Sequence, residues 1–121
     1  MLDCLAVGIG GFVGSVGRYL AGKIPIPNPE GFPVNTLLIN ILGSFVIGCL
    51  AALTAQNVQL NPRLMLFLKV GICGGFTTFS TFSLETSELI RSGAYGAAVL
   101  YVGLSAGLGI AAVILAQYLV R

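Results

Sequence analysis

The chain has 121 residues, 56% of them hydrophobic and 8% charged, with a mean hydropathy of +0.98 and a net charge of +2. A soluble domain carries roughly 25% charged residues, so the composition excludes an ordinary water-soluble fold and indicates an integral membrane protein. Histidine is absent, which removes the commonest general base and metal ligand, and so small a net charge argues against a nucleic-acid partner.

With no tryptophan in the chain, interfacial anchoring falls to Tyr19, Tyr95, Tyr101, Tyr118 and the charged residues. Cys4, Cys49 and Cys73 show no C-x-x-C spacing and read as three small hydrophobes. The N-terminus lacks a basic region and opens with Asp3, so the first apolar segment is expected to stay in the mature protein.

The spacing predicts four spans in a single transmembrane domain, at about residues 2–21, 34–55, 63–91 and 94–120, with both termini on one side. The first is rich in glycine. Gly10 and Gly14 form a small-xxx-small pair that serves either intramolecular packing or a subunit interface. Arg18 lies one turn before its end, where an arginine either snorkels to the interface or guards a mouth. The connection that follows, Lys23 to Pro33, contains Pro25, Pro27, Pro29 and Pro33 and is barred from helix. In the second span Thr36, Asn40 and Ser44 are four apart and share one stripe. Asn40 falls well inside the hydrocarbon, where an amide needs either a partner helix or a water-filled path.

A polar connection, Gln56 to Pro62, leads into the third segment, Arg63 to Arg91. As one helix it would be about 43 Å long, against a hydrocarbon core of about 30 Å. The excess length and the Gly74-Gly75 pair predict a break inside the membrane, which survives only where the freed backbone groups find protein, water or an ion. Past the glycines, Phe76, Phe79 and Phe82 recur every third residue, flanked by one row of Thr77, Ser80 and Ser83 and another of Thr78 and Thr81. Glu85, Glu88 and Arg91 mark the far interface, with Glu88 and Arg91 spaced to pair. After a tight turn at Ser92–Gly93, the last span carries Tyr101, Ser105 and Gly109 on one stripe and Gly103 and Gly107 as a second small pair. Arg121 closes the chain.

Arg63, Lys69 and Arg121 flank the side of the termini; Arg18, Lys23 and Arg91 flank the other. Three cations against three leave orientation unassigned. Either other features fix the topology, or the protein inserts both ways and two opposed copies pair. Four short helices enclose a pore poorly, which also favours a second copy. The polar groups expected at membrane depth are hydroxyls and amides that donate hydrogen bonds. None is a carboxylate near the centre, as a proton-coupled or cationic-drug exporter would need. Phenylalanine rings presented by their positive edges suit an anion, and Arg18 at a mouth would concentrate anions. The residues thus point to a small dimeric channel or carrier for an anion.

Gly74-Gly75-Phe76-Thr77-Thr78-Phe79-Ser80-Thr81-Phe82-Ser83 resembles the signature of the CrcB/Fluc family of fluoride channels. The stretches Gly10–Tyr19 and Asn35–Phe45 resemble that family too, so the likeness runs along the whole chain. It implies an all-α membrane protein assembled as an antiparallel, dual-topology homodimer in the cytoplasmic (inner) membrane, with two fluoride pathways that relieve fluoride toxicity by passive efflux. By position, the resemblance assigns the pathway to Phe79, Phe82, Asn40, Ser80, Thr81, Tyr101 and Ser105, and the vestibule to Arg18. It also implies a structural sodium ion at the dimer centre, held by the backbone carbonyls of Gly74 and Thr77 of each subunit. Gly109 departs from members that carry a further hydroxyl there. The alternatives are a dual-topology small-molecule exporter of the small multidrug type and a structural or enzymatic membrane subunit; the lack of histidine and of paired central acids speaks against an enzyme.

Overall fold

The computed structural model describes residues 1–28, 31–56 and 59–120; Pro29 and Arg121 lie outside them. The described residues are helical and contain no strand. Helix α1 covers Leu2–Gly22 and α2 covers Val34–Ala55. The third span, Pro62–Arg91, is composite: α3 (Pro62–Met65), a π-helical stretch Leu66–Cys73, α4 (Gly74–Phe76) and α5 (Phe79–Arg91). Helix α6 covers Tyr95–Val120. These make four helical segments long and apolar enough to cross a bilayer.

Contacts between helix ends show an up-down-up-down arrangement. Arg63 Nε is 3.0 Å from Asp3 Oδ1, joining the starts of α1 and the third span. Gln56 Nε2 donates to the Val120 carbonyl at 2.7 Å, joining the ends of α2 and α6. At the opposite end the Asn35 amide donates to the carbonyls of Ala21, Gly22 and Ile24 at 3.2, 3.3 and 2.9 Å. It thereby ties the start of α2 to the last carbonyls of α1 and to the loop that follows, adding a partner where the helix end leaves carbonyls without intrahelical ones. Residues 25–28 of the proline-rich connection have no regular structure. The turn at Ser92–Gly93 is a Schellman cap: Gly93 has φ 84°, its N–H reaches Ile90 O, and Ala94 N–H reaches Leu89 O at 2.8 Å. The spaced pair Glu88 and Arg91 forms no ion pair; among the described residues the ion pair is Arg63–Asp3.

Packing is interleaved. Helix α1 lies chiefly against the first half of the third span, and α2 chiefly against α6. Glycines set the first contact. A Cβ on Gly10 would strike the Phe67 carbonyl, and one on Gly14 the Ile72 carbonyl. From the other side, a Cβ on Gly71 would lie 2.8 Å from Gly10 Cα and one on Gly75 2.7 Å from the Gly11 carbonyl. The Gly10/Gly14 pair therefore packs within the chain. In contrast, Gly103 and Gly107 of α6 face open space.

Adding a methyl at Gly14 is expected to cost about 1–3 kcal/mol through overpacking. Gly8 has nothing within 4 Å, so Gly8→Ala is expected to be neutral or slightly stabilising, since alanine loses less backbone entropy in a helix. Thermal unfolding of Gly14→Ala and Gly8→Ala in detergent micelles checks the contrast.

Candidate functional site: a polar groove at the break of the third span

The break falls at Thr77–Thr78, with Phe76 between it and the Gly74-Gly75 pair. Both glycines are helical; Gly75 serves the close approach of α1. Extended backbone begins at Thr77 (φ −83°, ψ 157°) and continues at Thr78 (φ −149°, ψ 123°). Side chains hold the chain there. The Cys73 carbonyl accepts both the Thr77 N–H at 3.0 Å and Thr77 Oγ1 at 2.9 Å. Thr78 is clasped by Asn40, whose Oδ1 accepts the Thr78 N–H at 2.9 Å while Nδ2 donates to the Thr78 carbonyl at 3.1 Å. Thr78 Oγ1 then caps α5 by accepting the Thr81 N–H at 3.2 Å. Arg18 Nε donates to the Gly75 carbonyl at 3.1 Å. Among the described residues, no donor reaches the carbonyls of Gly74, Phe76 or Thr77.

Two hollows meet at Thr78. The larger, about 500 Å³, runs between α2, the break and α6. Asn40, Ser44, Gly74, Thr77, Phe79, Phe82 and Ser105 all line it, together with Cys73 and apolar residues of α2 and α6. No carboxylate is among its lining residues. Ser105 Oγ is buried there with no hydrogen-bond partner, and Gly109 lies beside Ser44, so that a Cβ added to the glycine would sit 3.6 Å from Ser44 Oγ. The smaller hollow, about 250 Å³, holds Arg18, Lys23, Thr36 and Thr81 on the other side of Thr78. Lys23 Nζ sits 4.9 Å from the centre of the Tyr19 ring at its rim.

Of the residues assigned from the sequence, Asn40, Phe79, Phe82, Ser105, Gly74 and Thr77 thus meet in one groove, and Arg18 and Thr81 meet in the adjoining hollow. Ser80 lines neither; it is exposed, with its hydroxyl 3.4 Å from Thr78 Oγ1. Tyr101 lines neither as well. It is 0% exposed, so it is no interfacial anchor. Its ring packs against Phe82 at 5.1 Å and Phe32 at 5.6 Å between centroids. The expected row of three phenylalanines is cut by the break: Phe79 and Phe82 stay together at 5.8 Å, while Phe76 turns towards Gly17 and Gly43.

Glu85 is the polar residue whose place the sequence pattern missed. It is half-buried, with Oε1 accepting from the Tyr101 hydroxyl at 2.9 Å and Oε2 accepting from Thr36 Oγ1 at 3.0 Å. Its position near Glu88 and Arg91 looked like an interface. The usable signal was the stripe position of Thr36 and Tyr101, two hydroxyls in need of an acceptor.

Four apolar spans, the third broken beside a groove that carries hydroxyl and amide groups, define a multi-pass membrane protein. The family profile described as "CrcB-like protein, Camphor Resistance (CrcB)" matches residues 5–117. The chain is 46% identical to the protein named "Fluoride-specific ion channel FluC" of Ruminiclostridium cellulolyticum, covering 100% of this chain and 94% of that one. It is likewise 46% identical to the protein of that name from Ruegeria sp., covering 100% and 96%, and 44% identical to that of Methanopyrus kandleri, covering 93% and 84%. The chain belongs to the CrcB family.

Removing either donor to Glu85 leaves a half-buried carboxylate short of a partner, a cost of about 1–3 kcal/mol. Tyr101→Phe and Thr36→Val are each expected to lower the unfolding temperature. Because both act on one carboxylate, the double variant is expected to lose a different amount from the sum of the two, as a double-mutant cycle would show.

Proposed function

We propose that this chain is a fluoride-specific channel giving passive efflux of fluoride across the cytoplasmic membrane. The observation that carries the reading is the groove at the break, lined by the amide of Asn40 and the hydroxyl residues Ser44, Thr78 and Ser105 with no acid among its lining residues. Fluoride is small and strongly hydrated, and a file of hydroxyl and amide donors in a water-poor setting offers replacements for its water. The buried Ser105 hydroxyl, with no protein partner, is suited to give its proton to such a guest. Phe79 and Phe82 present rings at the same groove, and their edges favour negative charge. Arg18 and Lys23 in the adjoining hollow would raise the local anion concentration. The names of the relatives point the same way. A small-molecule exporter of the small multidrug type is less well served, since the groove offers no acid to bind a cationic drug or carry a proton.

The working unit in this reading is an antiparallel homodimer of dual topology. Three considerations support it. Cations are balanced, three against three, between the two ends of the spans. Phe79, beside the groove, is 79% exposed in the single chain, so its ring needs a cover. Gly103 and Gly107 leave a smooth face on α6. Two copies meeting on a twofold axis at their breaks would bring the Gly74 and Thr77 carbonyls of each to one point. Those carbonyls lack donors among the described residues, and hard cations take oxygen ligands, so they fit a sodium ion held as a structural element. Thr77 would take part through its backbone, its hydroxyl being committed to Cys73 O.

Purified protein in liposomes is expected to release fluoride rapidly and chloride not at all; well-folded protein that passes no fluoride would overturn the reading. Phe79→Ile and Phe82→Ile are each expected to slow fluoride release about tenfold or more, the effect of about 1.4 kcal/mol on the limiting barrier. Wild-type rates in both would take the rings out of the path. Thr77→Ser keeps the hydroxyl and the backbone, so stabilisation by sodium is expected to persist in it. Its loss would count against carbonyl ligation.

A further inference from the structure

We propose that Asn40 is a positioning residue that keeps the third span broken by capturing the backbone N–H of Thr78. In an α-helix each N–H bonds the carbonyl four residues back, so the acceptor that Thr78 N–H would take in an unbroken span is the Gly74 carbonyl. Instead it donates to Asn40 Oδ1 at 2.9 Å, and Asn40 Nδ2 returns a bond to the Thr78 carbonyl at 3.1 Å. The carboxamide presents an acceptor and a donor in one plane, as a peptide group does. It therefore stands in for a stretch of backbone and satisfies Thr78 in its extended conformation. Among the described residues, no other side chain takes both backbone groups of one residue at the break.

The capture decides which carbonyls stay free. Between Cys73 and Thr78, Cys73 O is taken by Thr77, Gly75 O by Arg18 and Thr78 O by Asn40. The remaining carbonyls belong to Gly74, Phe76 and Thr77, of which Gly74 and Thr77 line the groove and Phe76 does not. Without Asn40, the Thr78 N–H loses its partner at membrane depth, and helix geometry offers the Gly74 carbonyl in its place. Its return would extend α4 through the break and consume a carbonyl proposed for the cation. Asn40 thus controls cation binding without touching the cation; this part rests on the sodium reading above. The second Nδ2 proton remains available to the groove that Asn40 lines.

The test is the backbone conformation of Thr77 and Thr78 in lipid bilayers, read from their 13Cα and 13Cβ shifts by solid-state NMR. Both are expected to show extended-type shifts in the native protein and in Asn40→Asp, which keeps the oxygen that accepts from Thr78. In Asn40→Ala, and in the size-matched Asn40→Leu should the alanine variant not fold, the secondary shifts are expected to reverse to helical type. Extended shifts retained in Asn40→Ala or Asn40→Leu overturn the proposal, since bulk or general stability alone does not convert these two residues to helix. A second arm compares unfolding temperature in sodium chloride and in choline chloride. The native protein and Asn40→Asp are expected to be stabilised by sodium, and Asn40→Ala is expected to lose that shift. A native protein indifferent to sodium would overturn the sodium reading, while the NMR comparison would still decide the role of Asn40.

Discussion

A backbone polar group inside hydrocarbon has to be satisfied by the protein itself, because no water is there to replace a missing partner. The interruption at Thr77–Thr78 concentrates that requirement into a few residues, and the helices are arranged around meeting it. Asn40 comes from α2 and Arg18 from α1, each supplying what the third span has given up. For α1 to bring Arg18 within reach of Gly75, its axis has to lie close to the third span, and Gly10, Gly14, Gly71 and Gly75 remove the side chains that would prevent it. On the other face Gly43 lets α2 come up against the Thr77 methyl, bringing Asn40 level with Thr78. The glycines thus serve the break indirectly, as spacers for neighbours that hold it.

Polarity is graded along the two hollows that join at Thr78. The larger one offers amide and hydroxyl donors beside aromatic rings; the smaller one adds Arg18 and Lys23. Glu85, bonded to the Thr36 that lines the smaller hollow, has each of its oxygens engaged by a hydroxyl. A half-buried acid bonded in this way ties α5 to both α2 and α6. The ring contacts Phe79–Phe82, Phe82–Tyr101 and Tyr101–Phe32 form a continuous aromatic file from the groove to the loop before α2. The same tyrosine therefore continues the file through its ring and fixes the acid at its hydroxyl.

The four spans, the existence of a break and the polar stripe of α2 could be read from hydropathy, length and four-residue spacing, because those are local properties of the chain. The place of the break could not. Gly74-Gly75 looks like the weak point of an isolated helix, yet helix continues through both glycines and stops where Asn40, 38 residues away, withdraws an N–H. The three-residue recurrence of Phe76, Phe79 and Phe82 presumes one unbroken helix, so it failed at the break for the same reason. Glu85, and Tyr101 as an interfacial anchor, were misread because each sits near a span end, where an acid or an aromatic ordinarily meets water. Their burial depends on each other and on Thr36, which is knowledge of a tertiary contact. Asn40, Thr77, Phe79, Phe82 and Ser105 were recoverable as neighbours because motif and stripe placed them at similar depth.

The interleaved pairing, α1 on the third span and α2 on α6, bears on how the chain reaches its final form. Spans enter the bilayer in order, but neither principal contact joins consecutive ones. The glycine face of α1 stays against lipid until Phe67, Ile72 and Gly75 are in place, much later in the chain, and Gly48 of α2 meets its neighbours Val113 and Ala116 only when the last span is complete. Contacts of such sequence separation form late. The assembly is therefore completed only with the last span, and a chain stopped after Arg91 would hold α2 without its main partner helix.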